Sequence, residues 1–401
     1  MEEARARILA EIPLLEAETV PIDQARGRVA AEDIHAGLSH PPVPVSAMDG
    51  YALRAQDAGQ LPVRLRNIGT SRAGARFQGV LAPGACVRIF TGAVVPDGAE
   101  VIALQEDAEE ADSQVTIRDA PPKGQYIRSA GMDFSAGQLV VAKGRVLSAR
   151  DLGLLASSGH GAVSVRRRPR VAILSTGDEL VPPGHAPGPD QIVGSNGLAL
   201  AAAVSSWGAE AIDLGIAGDE VQAIAEAADR AAGADILITS GGASVGDHDL
   251  VQAGIAARGF VPDFWRIAMR PGKPLMFGRI GALPVLGVPG NPVSALVCAM
   301  LFLRPVLRKM LGSAAIEPDF ERAVLGSAMK ANDKREEYAR ARLERGDGGA
   351  LVAWPFSAQD SAMQMALARA DALIRRPPLA PAAEAGAEVE IIRLDTAEGG
   401  F

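Results

Sequence analysis

Val171-Ala172-Ile173-Leu174-Ser175-Thr176-Gly177-Asp178-Glu179 is the stretch on which the reading of this chain turns. An apolar strand runs straight into a turn of hydroxyls, a glycine and two acids. The same texture returns downstream. Ala211-Ile212-Asp213-Leu214 leads to Gly218-Asp219 and an Ala-rich helix, and Ile236-Leu237-Ile238-Thr239 leads to a glycine-rich turn. Pro284-Val285-Leu286-Gly287-Val288 leads to Pro289-Gly290-Asn291-Pro292 and a long helix ending near Gly312, with Pro292 suited to its first turn. Between the first two strands, Leu198 to Val204 reads as a helix begun by Asn196 and stopped by Gly208. Strands and helices alternating at this spacing predict a parallel α/β sheet.

The texture differs on either side. Upstream lies a basic hinge, Arg166-Arg167-Arg168-Pro169-Arg170. Residues 1–35 read as helical, with Ile8, Leu9, Ile12 and Leu15 at helical spacing before Pro21. Ser39-His40-Pro41-Pro42-Val43-Pro44 breaks into extended structure. From Ala47 to about Asp133 short alternating strands predict a small β-rich domain, with the acidic run Glu106 to Asp112 at a hairpin tip. After Ile316-Glu317-Pro318 strands return at Arg340–Leu343, Leu351–Trp354, Ala372–Ile374 and Val389–Ile392, which predicts a second β-domain of roughly 85 residues.

Composition removes several function classes. The 401 residues carry 40 Lys+Arg against 48 Asp+Glu, a formal net charge of −8, which argues against nucleic acid or an anionic membrane as the main partner. Aromatic residues make up only 4%, little material for base-stacking platforms. Cys86 and Cys298 are too few for a disulfide framework or a zinc cluster, so a cytoplasmic setting is expected. The start, Met1-Glu2-Glu3-Ala4-Arg5, does not read as a signal peptide, and the longest apolar run, Val293 to Leu303, is about half of the ~20 residues a membrane span needs.

In an open parallel sheet, ligands bind beyond the carboxyl ends of the strands. Those ends hold Ser175, Thr176 and Glu179, then Asp219, then Gly241, Gly242, Ser244 and Asp249, then Pro289, Pro292 and Ser294. Glycines let backbone N–H groups approach an anion, and the carboxylates Glu179, Asp219 and Asp249 would suit Mg²⁺ bridging protein to phosphate. A basic stretch from Arg266 to Arg279, including Arg270 and Lys273, contains no acid and offers oxyanion donors. Gly242-Ala243-Ser244-Val245-Gly246 has the form of a hydrolase nucleophile elbow, but no histidine follows His248, so the triad lacks its base. No P-loop appears, and no G-x-G-x-x-G follows the first strand. A third group, Ser46–Ala52, Ile89–Ala93 and Arg128–Asp133, reads from composition as turns.

Ser46-Ala47-Met48-Asp49-Gly50-Tyr51-Ala52, Ser175–Leu180, Ser240–Gly246, Pro271-Gly272-Lys273-Pro274 and Gly287–Ser294 together resemble the MoeA family of molybdopterin molybdenumtransferases, related to the E domain of gephyrin. The resemblance runs in order from about Ile22 to Leu373. It implies a multidomain α/β plus β chain with a central MogA-like parallel α/β domain, two β-rich domains and a C-terminal β-barrel-like domain. The implied boundaries are 1–16 with 168–316 for the α/β part, 17–35 with 137–167 for a linker or elongated part, 36–136 for a β-rich domain, and 317–401 for the last. It implies a cytoplasmic homodimer that inserts molybdate into adenylylated molybdopterin, with Mg²⁺, and releases AMP. A MogA-like adenylyltransferase and apo-molybdoenzymes would be its partners.

By matched position the resemblance makes Glu179, Asp219 and Asp249 metal ligands or catalytic acids, with Asp49 a further catalytic group. Arg270, Lys273 and Ser294 would face molybdate, joined by Arg340 and Ser361, and Arg266 would bind substrate. Thr91, Arg128 and Asp133 would come from the β-region, across the dimer, to complete the cleft. Two positions depart from the family pattern. Arg266 and Arg270 stand where lysine is frequent, and Gly194 stands where an acid often precedes the Ser195-Asn196 pair. A dimeric scaffold that holds a partner is the competing class, and retention of the three acids favours the enzyme.

Overall fold

The apolar run at 171–174 is the middle of β1 (Arg170–Thr176), which pairs on one side with β2 (Glu210–Ala217) and on the other with β3 (Ile236–Ser240). β4 (Phe260–Phe264), β5 (Met276–Ile280) and β6 (Leu283–Val288) complete a six-stranded sheet of order β2-β1-β3-β6-β5-β4. This computed structural model describes residues 1–241 and 250–394.

β2, β1, β3 and β6 are parallel, as the alternating pattern predicts. β5 and β4 are antiparallel, which the sequence reading did not include. Only Gly281 and Ala282 separate β5 from β6, and a link that short can only reverse the chain. Helices α1 (Glu2–Ala10), α2 (Asn196–Ser206), α3 (Val221–Asp229), α4 (Leu250–Ala256), α5 (Pro292–Cys298) and α6 (Arg304–Met310) cover the sheet. Val171 and Ile173 bury into one core with Ile8, Leu200, Val297 and Leu307. Ala172 and Leu174 face a second with Ile224, Val251 and Ile255. Both faces are covered, which is why the strand reads as uninterrupted apolar sequence. α5 continues into α6 through a π-helical turn, Ala299–Leu303, so the expected long helix is one rod with an internal irregularity.

The helical expectation for residues 1–35 fails after α1. Pro13 ends the periodic pattern, Ala17–Pro21 is a strand, and Ile22–Gln24 is one 3₁₀ turn. Ile8, Ile12 and Leu15 are nonetheless all buried in the same core.

The chain divides into two compact units. The first takes residues 1–32, 143–149 and 164 onward, and the second takes 33–142 and 150–163. Besides the α/β sheet, the first unit contains β7 (Glu321–Leu325), β8 (Glu336–Arg345), β9 (Leu351–Pro355), β10 (Ala372–Arg376) and β11 (Glu388–Arg393). They pair in the cycle β8-β9-β7-β11-β10 and back to β8, a closed five-stranded barrel. A two-residue strand, Met269–Arg270, adds to β8 in parallel. The second unit holds a six-stranded sheet whose central strands are Gly50–Leu53, Ala85–Ile89 and Val63–Ser71. In it the acidic run supplies a strand, Ala108–Ala111, and the hairpin tip falls at Asp112 and Ser113, both at positive φ. Among the described residues no helix is long and apolar enough to cross a membrane.

Candidate active site

The order β2-β1-β3 makes β1/β3 the point where connections turn to opposite sides of the sheet, and in such sheets a crevice forms there. A cavity of about 690 Å³ lies at that place. Ser175, Thr176 and Glu179 line it from the end of β1, Asp219 from the end of β2, Ser240 and Gly241 from β3, and Pro289 and Pro292 from β6. Gly241 has φ +102°, and a Cβ there would lie 2.8 Å from Thr176 Oγ1, so the two strand ends approach as closely as backbones allow. Gly177, at φ +147°, lies under the folded-back Glu179 carboxylate; a Cβ would be 2.8 Å from Oε1.

Hydrogen bonds between loops fix the cleft. Asp219 N–H donates to Asp178 Oδ1 at 2.9 Å and Asp178 N–H donates to Asp219 Oδ2 at 3.4 Å, a reciprocal tie between the ends of β1 and β2. Asn196, the first residue of α2, donates from Nδ2 to Ser240 Oγ (2.8 Å) and to Gly290 O (2.7 Å), joining α2, β3 and the loop after β6. Asn291 Nδ2 donates to Ser361 Oγ at 3.0 Å, and Val293 N–H to Ser361 O at 3.1 Å. Gln364 Nε2 donates to Ser195 Oγ, which brings a loop of the barrel to the cleft wall. Thr176 Oγ1, beside Gly241, is buried without a hydrogen-bond partner.

Lys273, Ser294, Arg266, Arg270 and Arg340 are not among the residues that line the cavity. Lys273 is exposed, with Pro274 on the cleft wall. Ser294 is 4% exposed in the first turn of α5, and Arg266 is exposed. Arg270 is held by acids: Nη2 lies 2.8 Å from Glu337 and Nη1 3.6 Å from Asp333. Arg340 is 1% exposed; its backbone N–H and Nε donate to Gln359 Oε1 at 2.9 and 3.1 Å, and Nη1 to Met363 O at 3.3 Å. Burial pushes its pKa down against the pull of Asp360. The structure therefore places Arg340 beneath the loop carrying Ser361, Ala362 and Gln364. Gly242, Ser244 and Asp249 lie outside the described residues.

In the second unit, Asp49 and Thr91 meet. Thr91 N–H and Oγ1 both donate to Asp49 Oδ1 at 2.7 Å, and these bonds, with the charge of Arg88, hold the carboxyl below its ordinary value. Arg128 pairs with Val45 in a short antiparallel ladder, and Asp133 N–H donates to His40 O at 3.0 Å; both side chains are exposed.

Sequence reasoning missed Asn196, Asn291 and Gln364 as cleft residues. Asn196 at a helix start and Asn291 before Pro292 carried signals that read as capping, which is what each residue type ordinarily does there. Gln364 carried no signal, because its role depends on barrel closure.

Three family models cover the chain: the MoeA N-terminal region, domains I and II (residues 1–159), a probable molybdopterin binding domain (172–309) and the MoeA C-terminal region, domain IV (322–394). A molybdopterin molybdenumtransferase of Nostoc sp. is 39% identical over 82% of this chain and 78% of its own length. Molybdopterin molybdenumtransferase 2 of Mycobacterium tuberculosis is 38% identical over 84% of this chain and 86% of its own. The crystal structure of a molybdopterin biosynthesis MoeA protein from Pyrococcus horikosii superposes with a TM-score of 0.85 at 32% identity, over 100% of this chain and 99% of that one. Motifs, architecture and relatives agree, and the chain belongs to the MoeA family, whose curated members named here are molybdopterin molybdenumtransferases.

Proposed function

We propose that this chain, a cytoplasmic homodimer, inserts molybdenum from molybdate into adenylylated molybdopterin in a Mg²⁺-dependent reaction that releases AMP. The observation that carries the reading is the cleft itself. Glycine-rich strand ends, two carboxylates and a buried unpartnered hydroxyl converge at the β1/β3 crevice. An anionic phosphate is received at the strand ends bearing Gly177, Gly241 and Gly290, where the lack of side chains lets it approach the backbone.

Glu179 and Asp219 fit Mg²⁺ by the hardness of their oxygens and their place on one wall. Among the described residues no three His, Cys, Asp or Glu side chains converge, which suits an ion that takes one or two carboxylates and completes its shell with phosphate and water. When bound, Mg²⁺ neutralises phosphate charge as the adenylate bond breaks. Asp249 is a third proposed ligand. Lys273 and Ser294 receive molybdate, a tetrahedral dianion suited to ammonium and hydroxyl donors, and Arg270 adds a guanidinium oriented by Glu337. Asn196 holds the walls at fixed spacing. In the second unit Asp49, held ionised by Thr91, is a further catalytic group, and Arg128 and Asp133 bind substrate. A MogA-like adenylyltransferase supplies the substrate, and apo-molybdoenzymes take the product.

Purified chain given adenylylated molybdopterin, Mg²⁺ and molybdate is expected to release AMP in proportion to cofactor formed. No AMP above the background rate would sink the proposal.

A further inference from the structure

The amino end of the α/β sheet has a cavity of its own, about 490 Å³, within the range of small-ligand pockets. β1 begins at Arg170 beside it and ends at Thr176 in the cleft; seven residues of strand put the two about 20 Å apart. Three of its lining residues are arginines, Arg26, Arg168 and Arg308, and none is an acid, in a chain whose net charge is −8.

The arginines differ in how their donors are used. Arg308 is tied to Glu317 O (2.7 Å) and Asp319 Oδ2 (2.8 Å). Arg168 donates once, from Nη1 to Gly208 O at 3.3 Å, and makes no ion pair among the described residues. That bond caps the end of α2 and uses one of five N–H groups. Desolvation, and then the neighbouring charge of Arg28, push its pKa down against the pull of Glu18. Ser205 and Ser313 reach the same cavity with hydroxyls that make no hydrogen bond among the described residues. Ser206, whose hydroxyl donates to Ala203 O, also lines it, and the remaining side chains are apolar: Val29, Val146, Leu311, Ala315 and the half-buried Trp207.

Cations and hydroxyls beside an apolar wall with one flat aromatic face do not suit a bare inorganic ion, which would leave that wall wet. They suit a phosphate attached to a planar ring. We propose that this pocket is a second binding site, separate from the cleft, for a small organic phosphate bearing an aromatic ring, the chemical class of a mononucleotide. Arg168, with Arg26 at the mouth, takes the phosphate; Ser205 and Ser313 donate to it; Trp207 stacks on the ring.

Equilibrium dialysis of the full chain with labelled AMP, with and without inorganic phosphate, tests this. Arg168→Ala and Ser205→Asp are each expected to remove one bound equivalent that Asp219→Ala, in the cleft, leaves in place. Both sites of substitution are exposed, and thermal melting reports whether each variant remains folded. Wild-type AMP binding is expected to quench Trp207 fluorescence, and Trp207→Phe to abolish the quench. Unchanged AMP binding in both Arg168→Ala and Ser205→Asp would overturn the site. Displacement of AMP by an equal concentration of inorganic phosphate would overturn the role of the ring and leave a free-phosphate pocket. The cleft reading stands or falls separately, on AMP release.

Discussion

The carboxyl end of the α/β sheet and the barrel that follows it treat polar groups in opposite ways. In the sheet, polarity sits where strands stop: Asp178 and Asp219 are accessible and exchange backbone N–H bonds across neighbouring loops. On the barrel, polarity is buried: Ala339 and Ala341 fill the interior, and Arg340 between them lies on the outer face under the segment that follows β9. Arg340 is 1% exposed, and Gln359 makes four hydrogen bonds with it and the backbone around it: Oε1 accepts from Arg340 N and Nε, and Nε2 donates to Arg340 O and Phe356 O. An open sheet presents chemistry by interrupting its strands. A closed barrel has no free edge, so a loop it lends to a neighbouring site is tied down from beneath.

On that contrast, removing a solvent-accessible cleft acid costs activity and little stability, whereas removing a barrel clamp costs stability first. The largest effect is expected for Asp219→Ala: AMP release falls on the order of a hundredfold or more, as for loss of a group stabilising developing charge. The melting temperature should stay within about 2 °C, because the side chain is only half-buried and its carboxylate accepts, among the described residues, a single long bond, from Asp178 N–H at 3.4 Å. A variant that unfolds instead would place Asp219 among the structural residues. Gln359→Ala is expected next, destabilising by about 2 kcal/mol because it strands buried donors of Arg340. A urea midpoint equal to that of the parent would remove the clamp and with it the contrast.

Asn196→Ala sharpens the comparison from the cleft side. It removes two bonds at the rim, to Ser240 Oγ and Gly290 O, at an expected cost of about 1 kcal/mol. Asn196→Asp keeps the size but loses both donors and should lower AMP release as much as Asn196→Ala does. Full activity in either variant would show that the loops hold their spacing without it.

The smallest effect concerns pH. Hydrogen bonds from Arg335, with the charges of Arg335 and Arg270, hold the exposed Asp333 carboxyl at about 2, below its ordinary 3.8. The folded value is depressed, so the ionised form stabilises the fold; that contribution is complete above the ordinary carboxylate range and is lost as pH falls through about 2. Asp333→Asn should flatten the fall in urea midpoint between those two values and change little at neutral pH. An identical acid limb in both proteins would show that Asp333 contributes nothing there.

Much of the cleft was legible because its residues occupy places that sequence marks. Ser175, Thr176, Glu179, Asp219, Gly241, Pro289 and Pro292 each follow an apolar strand, and the strand-end rule collects them before any coordinate is known. Arg340 was legible as a strand residue and as a family match, but its contacts were not, since an arginine on a strand faces solvent until another segment, here the one carrying Gln359 and Met363, folds over it. The helical reading of residues 1–35 went wrong for a local reason: Ile8, Ile12 and Leu15 keep their apolar spacing past Pro13, but the backbone there no longer forms a helix.

By itself the sequence determined where strands end, which residue types stand at those ends, and the family, because these are properties of short segments and of their order. Only the tertiary structure decided which ends meet. The 2-1-3 strand order brings Thr176 and Gly241 into contact across 65 residues of chain and gathers Arg26, Arg168 and Arg308 at the far edge. The segment after β9 folds over the barrel's outer face, where it covers Arg340 and delivers Gln364 to the cleft wall. Strand order is settled by burial of both sheet faces and barrel closure by pairing of its edge strands, which act on the whole chain at once and leave no mark at any single residue.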